Sequence, residues 1–115
     1  MEKFKSFKEN SEIEIKDMLT KAVIDFQSEK DLRIKAFLVS NFAFLMTQTI
    51  SNIEKPIPKS LIEFLTSVYQ KYNEAYIFIF SNEKEKLDNL HLNGLLANNE
   101  KLLEVLNANL QKQLN

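Results

Sequence analysis

Ala36-Phe37-Leu38-Val39-Ser40-Asn41-Phe42-Ala43-Phe44-Leu45-Met46-Thr47-Gln48-Thr49-Ile50-Ser51-Asn52-Ile53 is the longest charge-free run in the chain. Seven of its eighteen residues are polar, and a bilayer span needs about 20 mostly apolar ones. The stretch therefore reads as the central buried helix of a soluble domain. At 100° per residue, Ile34, Leu38, Phe42, Leu45, Met46, Thr49 and Ile53 share its main face. Phe37 and Phe44 fall on one flank, and Val39 and Ile50 on the other. Such a wide apolar arc predicts neighbours on several sides.

The surrounding sequence supports an all-α chain. One Gly and two Pro in 115 residues leave few turn signals for a β-sandwich or barrel. Upstream, Ser11 and Glu14 make a capping-box pattern, which predicts a helix over 11–29 behind a flexible lead-in at 1–10. Its apolar stripe is Ile15, Met18, Leu19, Ala22, Val23 and Phe26. The central helix is expected over 31–54. Downstream, Lys55-Pro56-Ile57-Pro58 is the clearest break. A third helix follows over 58–80, with Leu61, Ile62, Leu65, Val68, Tyr69, Tyr72, Tyr76, Ile79 and Phe80 on one face. A fourth is expected over 82–114 from an Asn82–Glu85 cap signal, with a break possible at Asn93-Gly94. The expected fold is a single-domain four-helix bundle, mostly up-and-down and antiparallel, with a long C-terminal helix.

Composition excludes several kinds of chemistry. Without Cys there are no disulfides, thiolate metal sites or cysteine nucleophiles. A single Gly permits no glycine-rich phosphate loop. His91 is the single imidazole, too little for a two-histidine bundle metal site, and the pattern around it lacks the Lys of a phosphotransfer helix. Asp88, three residues before it, makes a capping role the simplest one. No Ser or Thr has a convincing base, and no carboxylate pair sits on an apolar stripe. No catalytic residue, metal ligand or cofactor is expected, and the chain is read as a non-enzyme.

Fifteen basic residues against sixteen acidic give a formal net charge of −1, spread evenly along the chain. With no cationic stripe and a single Arg, nucleic-acid binding has little electrostatic support. Lys3-Phe4-Lys5-Ser6-Phe7-Lys8 alternates basic and aromatic residues but is too short to anchor a membrane alone. No integral membrane association is expected, and without an apolar export signal the expected location is the cytoplasm.

What remains is apolar surface. Ile77 and Phe78 fall on the wet side of the third helix, where exposure is costly unless a partner covers them. With Phe44 and Phe37 they are the expected protein-binding residues. Leu96, Leu103 and Leu110 are spaced seven apart, with Asn99 in the interleaved row. That pattern suits a coiled-coil seam in a dimer or docking inside the bundle. The chain is similar in size and helicity to small export chaperones, bacteriocin immunity proteins and small inhibitors, a bacterial class likeness that carries no motif and assigns no residue. The functional expectation is an interaction module that binds a protein partner, or its own copy as a homodimer, through an apolar helix face. The alternative is a binder of a small apolar ligand between the helices, lined by Phe42, Phe64, Tyr69 and Tyr72.

Overall fold

A computed structural model describes residues 2–53 and 56–110, with side chains over 12–53 and 56–109. Four α-helices make up the fold: α1 (Glu2–Ser28), α2 (Leu32–Asn52), α3 (Lys59–Phe78) and α4 (Asn89–Val105). The described residues contain no strand. Tyr76 to Phe80, β-prone in isolation, stays helical from the end of α3 into the π turn that follows, with the rings of Tyr72, Tyr76 and Phe80 tilted against one another in sequence.

The helix starts follow their side-chain caps. The carboxylate of Asp31 accepts from the backbone N–H of Arg33 at 3.0 Å and of Ile34 at 3.3 Å, opening α2. Asp88 does the same for α4, accepting from the N–H of His91 at 2.9 Å. Two expected starts are corrected by this. The Asn82–Glu85 pattern does not open α4: α3 runs on as a wide π turn over Ile79–Glu83, then a 3₁₀ turn over Lys84–Lys86. The Ser11–Glu14 pattern lies inside α1, which begins at Glu2, nine residues earlier than expected. A cap motif competes with helix continuation, and here continuation wins at both places. The break considered at Asn93-Gly94 does not occur, since α4 is continuous through both residues. Beyond Val105 the chain keeps a π turn over Leu106–Leu110, and residues 111–114 of the expected helix lie outside the described residues.

Directions follow from the contacts. The three-residue link between α1 and α2 turns the chain back on itself. Ser60 Oγ donates to Glu12 at 3.4 Å, and Lys16 sits 5.9 Å over the Phe64 ring. Both pairs are 48 residues apart, so α1 and α3 run parallel, with α2 reversed between them. Helix α2 is the hub and packs on α1, α3 and α4.

Its closest neighbour is α4. The reason is a stripe of small residues, Ala36, Ser40, Ala43 and Thr47, recurring at helical spacing. Asn98 Nδ2 donates to Ser40 Oγ at 2.7 Å and to its carbonyl oxygen at 3.2 Å. This rotates the buried arc of α2 away from the expected one. Ala36, Val39, Ala43 and Ile50 are buried with Phe42 and Met46, while Ile34 is exposed and Leu38, Leu45 and Ile53 are half-buried. In α1, Leu19, Val23 and Phe26 are buried as expected, but Met18 is exposed. All nine residues expected on the inner face of α3 are buried or half-buried.

Gly94 is helical and faces Ser40. A Cβ built there meets Ser40 Oγ at 3.7 Å, an ordinary contact. Gly94→Ala should therefore stabilise the protein by about 1 kcal/mol through helix propensity. A urea titration checks this, and a lower midpoint would show that α2 and α4 tolerate no added methyl.

Candidate protein-binding surface

The core beneath the surface is aromatic. Phe42 stands edge-on to Phe26 at 5.6 Å and stacks on Tyr72 at 5.7 Å. Tyr69 and Tyr76 flank Tyr72 at 6.0 and 5.9 Å. The Tyr72 hydroxyl donates to Asn99 Oδ1 at 2.8 Å, tying α3 to α4. Burial, and then the neighbouring Tyr76 and Tyr69, push the Tyr72 phenol far above its ordinary value. Of the residues considered for a ligand pocket, Phe42 and Tyr72 are fully buried against each other and Tyr69 lies half-buried beside Tyr72. Phe64 lies over on the α1 side beneath Lys16.

The four residues expected to bind protein all reach the surface: Phe37 is 62% exposed, Ile77 51%, Phe78 49% and Phe44 48%. They do not form one patch. Phe78 lines an open groove of about 220 Å3 with Phe26, Gln27, Lys35, Lys71, Glu74 and Ala75. Lys35 is nine positions from Phe44, which at 100° per residue is the opposite side of α2. Phe78 and Phe44 therefore face different ways. Ile77 is turned 100° from Phe78 on the same helix.

Phe37 and Phe44 share the outward face of α2. From Ile34 to Asn52 the exposed residues are Ile34, Phe37, Asn41, Phe44, Gln48, Ser51 and Asn52, none of them charged. Every other helix mixes charge into its exposed face. The sequence signal for this strip was present in the charge-free run, but periodicity alone did not separate its buried half from its exposed half.

The α4 row divides differently from the expectation. Leu95 and Leu102 are the residues buried in the core. Leu96 and Leu103 are exposed, Asn99 is half-buried and bonded to Tyr72, and the side chain of Leu110 lies outside the described residues. The Asn99 amide oxygen is thus already bonded within the chain. The Leu95/Leu102 pair was legible as part of the stripe, but its dominance depends on where α2 sits.

No protein-family model matches the chain, and no curated protein or solved structure matches it either. What the surface can do must be read from its own chemistry. His91 Nδ1 lies 2.6 Å from Asp88 Oδ1 at the start of α4. The backbone N–H of His91, and next its ring, hold the Asp88 carboxyl below the usual carboxylate range. This is cap geometry, and the pair sits on the exposed start of the helix. Among the described residues no three carboxylates or histidines gather into a metal-binding group. No helix among them is long and apolar enough to cross a membrane.

Proposed function

We propose that this chain is a protein–protein interaction module of the chaperone, inhibitor or immunity type, which acts by packing apolar helix surface against a partner or a second copy. The observation that carries the reading is the exposure of Phe37, Phe44, Ile77 and Phe78, among eleven large apolar side chains that reach the surface in the described residues. A half-exposed Phe left in water forgoes on the order of 1 kcal/mol that a partner surface would recover. The groove beside Phe78 adds two lysines and a glutamate around an apolar floor, a rim suited to a partner helix with mixed charge.

Phe78→Glu and Phe44→Glu, made separately, test this. At least one should weaken association about tenfold or more while helicity is kept, read by solution mass and by capture on the immobilised chain. If neither substitution changes the solution mass or the bound partner, the interaction reading is wrong.

A further inference from the structure

We draw no further inference here: the strongest candidate, the open groove beside Phe78 where α1, α2 and α3 meet, belongs to the surface already described, and with Lys35, Lys71 and Glu74 around it nothing in the structure shows what covers it.

Discussion

Phe42→Ala is expected to cost about 4 kcal/mol, the range for emptying a large ring from a packed core. Phe42 is fully buried, lies at the crossing of α1, α2 and α3, and touches both Phe26 and Tyr72. Removing it leaves those two rings without their shared partner. A domain of this size has a net stability of only about 5–15 kcal/mol, so the variant should melt far earlier and its urea midpoint should fall sharply. Phe37→Ala is the matched control, since the same side chain there stands mostly in solvent and should cost well under 1 kcal/mol in the monomer. Equal losses at the two positions would mean that the core does not centre on Phe42.

Tyr72 should be the second large effect, and it has a pH signature. Tyr72→Ala removes a fully buried ring and the hydroxyl bonded to Asn99, for a loss again near 4 kcal/mol. Tyr72→Phe keeps the ring and gives up only the hydrogen bond, about 1 kcal/mol at neutral pH. The phenol is held neutral in the fold, chiefly by burial and then by Tyr76 and Tyr69, so its folded pKa lies above the unfolded value near 10. The stabilisation from keeping it neutral is complete below that unfolded value. It is lost as pH rises above about 10, because the unfolded chain can ionise there and the folded one cannot. Unfolding midpoints measured from pH 8 to 11 should therefore fall for the native chain and fall distinctly less for Tyr72→Phe. Tyr69 and Tyr76, also raised by burial, leave a residual slope. Identical slopes for the two proteins would show that Tyr72 does not govern the alkaline limit.

Much of the bundle could be read from residue order because helix periodicity is local. The inner face of α3 is legible in full, since Leu61, Leu65, Val68, Tyr72 and Ile79 repeat at three and four residues whatever the helix packs on. The exposure of Ile77 and Phe78 is legible for the same reason, since both fall off that face. Helix starts are less so: Ser11 and Asn82 carry cap signals as good as those of Asp31 and Asp88, yet only the latter two are used. A cap signal states that a helix can begin, and whether it does depends on what the flanking turns can pack against.

By itself, then, the sequence determined that the chain is helical, that its breaks fall near Lys30 and Pro56, and that it carries no Cys and a single His. Only the tertiary structure decided which part of α2's broad apolar arc is buried. The small residues Ala36, Ser40 and Ala43 let α4 approach closely, which turns Val39 and Ile50 inward and leaves Phe37 and Phe44 outside. It likewise sent Phe78 and Phe44 to opposite sides of α2 and gave Asn99 to Tyr72. The physical reason is range: periodicity fixes angles within one helix, whereas the partner that covers a given angle is chosen by contacts between residues tens of positions apart.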